Sequence, residues 1–172
     1  FADLHSGGRV VSKREFSKIS PAVWRSGRFT ALDSDAMILH LYFMTCEHQN
    51  SAGCFRLPDG YASTDLGWEL GRYVHCRNEL IKAGLVGFDN ETSEVFVHRW
   101  FRHNPPMNDK HAIGTRVIIE RIESDDIREK VEAEFQEVDE RRKGNGTQAD
   151  APFGDTSRLT QTGIMQRGGG RR

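Results

Sequence analysis

The sequence predicts a mainly helical fold with a small β-hairpin, followed by further helices and a polar tail. Three observations lead there: helix-period apolar patterns near residues 34–47, after a capping Asp33 or Ser34, and 70–83, before a stop at Gly84; two short extended runs joined by Asp89-Asn90; and an amphipathic stretch after residue 124.

The lead-in FSKISPAVWRSGRF spaces Phe16, Ile19, Val23, Trp24 and Phe29 among basic residues, as an irregular or extended segment does when its aromatic groups anchor on a neighbouring core. A first helix follows over about 34–47. Asp33 or Ser34 is placed to cap it, and Ile38, Leu41, Tyr42 and Met44 supply apolar periodicity. QNSAG is a turn, and Cys54 to Leu57 alternates as a brief strand. A second, two-turn helix begins at Pro58, with Ala62 and Leu66 on one face and Gly67 as its stop. The third, in LGRYVHCRNELIKAGL, ends at Gly84; at about 100° per residue Leu70, Tyr73, Val74, Leu80, Ile81 and Ala83 cluster on one side. Arg72, His75, Asn78, Glu79 and Lys82 project from the other, while Arg77 falls near the apolar centre, by snorkelling or through a shift of helix phase.

Extended runs over 86–88 and 94–100 form the hairpin, with Val95, Val97 and Arg99 alternating against Phe96, His98 and Trp100. The two prolines of HNPPMND end that unit. Asp109 can cap a helix to about 121 and Ser124 another, on which Ile127, Val131, Phe135 and Val138 make a narrow stripe. Asp126 with Lys130, Glu137 with Arg141 and Asp139 with Lys143 can pair along its surface. The organisation expected is a flexible basic arm over 1–15, a domain over 16–108, a helical extension over 109–143 and a disordered tail over 144–172, whose RGGGRR end has the composition of a weak single-strand binder.

The order lead-in, helix, strand, helix, helix, hairpin is that of a winged helix-turn-helix, in which two helices brace a third whose polar side enters the major groove. The same residues resemble the winged-helix N-terminal domains of phage replisome organisers and related prophage replication initiators. The resemblance spans about residues 16–115 and rests on KISPAVW, LDSDAMILHLYF, GCFRLPDGYASTDLG, RNELIKAGLV and, as its more specific part, VFVHRWFRHNPPMN. It implies binding of origin or operator DNA, with a C-terminal region that recruits a replicative helicase or helicase loader. The residues after 144 are few for a second domain, which departs from that pattern.

The net charge of -1 hides an asymmetry. Residues 9–28 carry Arg9, Lys13, Arg14, Lys18, Arg25 and Arg28 against Glu15 alone, whereas residues 119–143 carry ten acidic groups against six basic ones, giving a basic front and an acidic back. The candidate DNA-binding residues are Arg72, His75, Asn78 and Lys82 on the third helix, Arg25 and Arg28 on the lead-in, and Arg99 and Arg102 at the base of the wing. Arg can bond guanine bidentately, Asn adenine, and Lys a phosphate. The acidic wing tip, Asp89, Asn90 and Glu91, argues against deep wing contact. Ile127, Val131, Phe135 and Val138 form a partner or homodimer seam or else pack on their own domain.

No phosphate loop, nucleophile elbow or His-Glu-x-x-His pattern is present, so no enzyme and no cofactor are expected. Cys46, Cys54 and Cys76 are odd in number and lack metal spacing, which fits buried thiols in a reducing compartment and no metal site. No apolar run is long enough for a membrane span and the opening residues lack a signal-peptide core, so the expected location is the cytoplasm of a bacterial host cell. Two rivals share the fold: a transcription regulator that dimerises through the 125–142 helix on operator DNA, and a winged helix kept as a protein-interaction module.

Overall fold

The computed structural model describes residues 16–149, with side chains described to residue 144. After a 3-10 turn at Pro21–Arg25, the elements run α1 (Gly27–Thr30), α2 (Ser34–Thr45), β1 (Cys54–Arg56), α3 (Asp59–Leu66), α4 (Leu70–Lys82), β2 (Val86–Asp89), β3 (Glu94–Val97), α5 (Trp100–His103), α6 (Asp109–Ile119) and α7 (Asp125–Ala149). The strands form an antiparallel sheet in the order β1-β3-β2, with Cys54 opposite Phe96 and Val86 opposite Val97. The chain is therefore mainly helical with a small three-stranded sheet.

The lead-in, expected to be irregular or extended, has no regular structure over 16–20 and then forms the 3-10 turn and α1. Ser20 caps the 3-10 turn and Pro21 supplies its fixed φ. Of the five apolar residues in the lead-in, Phe29 is fully buried, whereas Phe16 and Trp24 are exposed. Asp33 caps α2 by accepting a bond from the Ala36 amide at 2.7 Å. The buried face of α2 is Ala36, Leu39, His40 and Phe43, and Ile38 points outward. Nearly every residue over 36–44 is apolar, so the sequence pattern leaves the phase weakly marked; Phe43 sets it by meeting Tyr73 and Phe55 edge-on.

On α4 the buried face is Tyr73, Cys76, Arg77 and Leu80, while Leu70 and Ile81 at its margins are exposed. Arg77 thus belongs at the centre of the apolar face and the helix phase holds. Its guanidinium lies 3.7 Å from the centre of the Phe88 ring and pairs with Asp59. Gly67 and Gly84 end α3 and α4 with φ of 63° each, the left-handed conformation that glycine adopts without a Cβ clash.

The second hairpin strand stops at Val97 rather than running to residue 100. Arg99 takes φ 62°, Trp100 starts α5, and its indole N–H donates to the Ser51 carbonyl at 3.0 Å. All four residues of β3 are buried, so the expected alternation of an inner and an outer face is absent. The cause is α7, which packs on β2 and β3. Ile127, Val131 and Phe135 enter the same apolar cluster as Phe43, Leu80 and Val95, with Val138 packed against it, so residues 109–143 share the core of 16–108. Asn108, rather than Asp109, caps α6 by accepting from the His111 amide. α7 continues as helix through Ala149, past the break expected at 144; the flexible arm and the rest of the expected disordered tail lie outside the described residues.

The three cysteines are buried and free, and burial pushes the Cys54 thiol up to about 12. Glu137 with Arg141 and Asp139 with Lys143 pair as the spacing suggests, and Arg128 pairs with Asp125. Among the described residues no helix is long and apolar enough to cross a membrane.

Candidate nucleic-acid interface

The outer side of α4 does carry the predicted polar residues, but two of its cations are engaged. Arg72 grips Asp35 of α2 bidentately, at 2.7 and 2.6 Å, and stacks over the Trp68 ring at 4.3 Å. This pairing lowers the Asp35 pKa and raises that of Arg72. Lys82 contacts Glu79 at 2.6 Å, one helical turn away. His75 and Asn78 are exposed and have no hydrogen-bond partner among the described residues. The acids that neutralise Arg72 and Lys82 come from α2 and from α4 itself. Asp35 lies 37 residues from Arg72, and no local pattern discloses that partner.

The hairpin is tied down. Asp89 accepts a 2.6 Å bond from the Ser124 hydroxyl and further bonds from the Glu91 and Thr92 amides, which together lower its pKa. The buried Glu94 carboxylate accepts from the Glu123 and Ser124 amides at 3.0 and 2.8 Å, placing negative charge at the positive end of α7. Asp89 is therefore an internal cap rather than an outward charge, and Glu91 is the exposed acid of the wing tip.

The lead-in and wing-base residues come together. A cavity of about 240 Å³ opens between residues 18–29 and 97–104, and Lys18, Arg28, Arg99 and Arg102 line it together with His40, His98 and His103. Its lining includes no Asp or Glu among the described residues. Glu134 is the carboxylate at its margin, accepting from the Arg99 amide at 3.0 Å and standing 3.9 Å from His98. Arg28 is anchored by donating to the Gly84 carbonyl at 2.7 Å. His40 is buried with Nδ1 unpartnered; burial, then the Arg28 charge, hold its pKa at about 4. Arg25 is exposed, lies outside this lining and has no acidic partner among the described residues, and Lys13 and Arg14 lie outside the described residues. Sequence reasoning missed His40, because nothing local shows an α2 histidine buried beneath Arg28.

The apolar seam is not free for a partner in this fold. Ile127, Val131 and Phe135 are 4%, 0% and 2% exposed within the chain itself, and Phe135 meets Phe101 edge-on at 5.2 Å. Among the described residues no group of three or more His, Cys, Asp and Glu is placed to hold a metal.

The chain matches no protein-family model, no curated protein and no solved structure.

Proposed function

We propose that this chain is a winged-helix protein that binds duplex DNA without a catalytic role. The observation that carries the reading is the arrangement around α4. A strand between the first two main helices closes on the hairpin as β1-β3-β2, while α2 and α3 hold the inner face of α4 and leave His75, Asn78 and Lys82 on its exposed side. Asn78 suits an adenine edge, Lys82 a phosphate once it exchanges Glu79 for it, and Arg72 a guanine once it leaves Asp35. The cationic groups Arg25, Arg99 and Arg102 suit backbone contacts. A role in phage or prophage replication initiation, with a helicase or loader as partner, is supported by the sequence resemblance of residues 16–115 alone.

Fluorescence anisotropy with a labelled duplex of about one to two helical turns, between about 50 and 200 mM salt, tests this. Binding should fall log-linearly with salt, His75→Ala with Asn78→Ala should weaken it about tenfold or more, and Lys82→Ala should reduce the salt slope by about one. No binding at the low-salt end refutes the proposal. That outcome favours the protein-interaction reading, which the internal pairing of Arg72 and Lys82 supports because it leaves this face close to neutral. The operator-binding dimer would need a seam other than the stripe on α7.

A further inference from the structure

The geometry points to the cavity between the lead-in and the β3–α5 junction as a binding site for a phosphate group. It is separate from the exposed face of α4 and does not depend on duplex binding by that helix. Four cationic residues, Lys18, Arg28, Arg99 and Arg102, line about 240 Å³ of space whose lining includes no carboxylate among the described residues. Like charges gathered in a concave site with low-dielectric walls repel one another and focus a positive potential, which an anion relieves. Several arginines elsewhere are matched by acids, as Arg72 is by Asp35, Arg77 by Asp59 and Arg116 by Asp139. Here the acid at the margin, Glu134, accepts from the Arg99 amide and forms no salt bridge with these four side chains among the described residues.

One further feature fits an oxyanion. Arg28 uses one of its five donors on the Gly84 carbonyl, which fixes the guanidinium while leaving other donors for a ligand. His40, 6% exposed, is among the lining residues, so its imidazole can report a ligand in the cavity. The volume holds a phosphate with a small substituent rather than a drug-sized molecule. Both a small phosphate monoester and a backbone phosphate of a nucleic acid present this chemistry, and the experiment separates them.

The test titrates the full chain with inorganic phosphate and with glycerol phosphate as a small monoester, followed by calorimetry and by the NMR shifts of the His40 imidazole. Saturable one-to-one binding with a dissociation constant of about 1 mM or tighter is expected. Arg99→Gln and Arg102→Gln, both at exposed positions, should each weaken it about tenfold, and Arg56→Gln on β1, outside the cavity, should leave it within about twofold. A duplex with unphosphorylated ends forms the second arm. If it leaves the His40 signals unmoved, the ligand is a small phosphate; if it moves them in competition with phosphate, the ligand is a backbone phosphate. Absence of saturation by about 10 mM phosphate, or binding indifferent to both arginine substitutions, overturns the inference. A duplex that binds nowhere on the protein refutes the DNA-binding proposal and leaves this one standing.

Discussion

Removing Asp59 should destabilise the protein more than removing the arginine it serves. Arg77 is 7% exposed and Asp59 32%, and the arginine also lies over Phe88 at 3.7 Å with its Nε unpartnered. Asp59→Ala strands a buried cation, a change that costs roughly 3–5 kcal/mol when both partners are fully enclosed. Because solvent reaches the carboxylate, we expect about 2–3 kcal/mol. Arg77→Met gives up the pair and about 1 kcal/mol of cation–π attraction, yet it removes the desolvated charge and the orphaned Nε. Its net cost should stay within about 1 kcal/mol, and the double variant should match Arg77→Met alone. At roughly 2–4 °C per kcal/mol for a chain of this size, Asp59→Ala should lower Tm by about 5–10 °C and Arg77→Met by under about 4 °C. Urea unfolding monitored by circular dichroism reads all three variants. If Arg77→Met proves costlier than Asp59→Ala, the pair is a net source of stability and the desolvation argument is wrong.

Three other outcomes follow from the same contacts. His40 has its pKa lowered from 6.5 to about 4, so the unfolded chain binds the extra proton first; stability from this group is complete above about pH 6.5 and is lost as pH falls toward about 4, by up to roughly 3 kcal/mol, a dependence that His40→Leu should remove from urea midpoints taken across that range. Gly53 has φ 69°, and a Cβ there would sit 2.2 Å from Trp100 Cγ, so Gly53→Ala should cost about 3–4 kcal/mol and lower Tm by about 10 °C in a thermal melt. Asp35→Ala frees Arg72 and removes a nearby negative charge; if α4 docks on DNA, duplex affinity at low salt should rise about three- to tenfold with a steeper salt slope, and an unchanged anisotropy curve would place the interface elsewhere.

Much of the fold was legible because its signals are local. Gly67 and Gly84 mark where α3 and α4 end, Asp33 marks where α2 begins, and the hairpin turns just after Asp89, through residues 90–93 rather than at Asp89-Asn90 itself. What escaped was decided by residues far apart in the chain. The all-buried β3 requires α7 on its second side, which its own alternation cannot announce. Leu70 and Ile81 lie at the edge of an apolar arc whose width depends on how far α2 and α3 reach around α4. The candidate interface divides in the same way. The exposed positions of His75 and Asn78 follow from helix phase, whereas the capture of Arg72 by Asp35 and the meeting of Arg28 with Arg99 and Arg102 are products of tertiary approach.

The pairing of β1 with β3 sets an order on how the chain comes together. Cys54 cannot find Phe96 until α3, α4 and β2 have been laid down between them. Joining ends so far apart costs loop-closure entropy before any bond repays it, which places sheet closure after the local helices in time. The cover over that sheet comes later still, since Val131 and Phe135 are synthesised more than thirty residues after Phe96. A nascent chain that has emerged only through residue 108 therefore displays the uncovered side of β2 and β3, and a fragment cut there should be prone to self-association rather than a miniature of the whole.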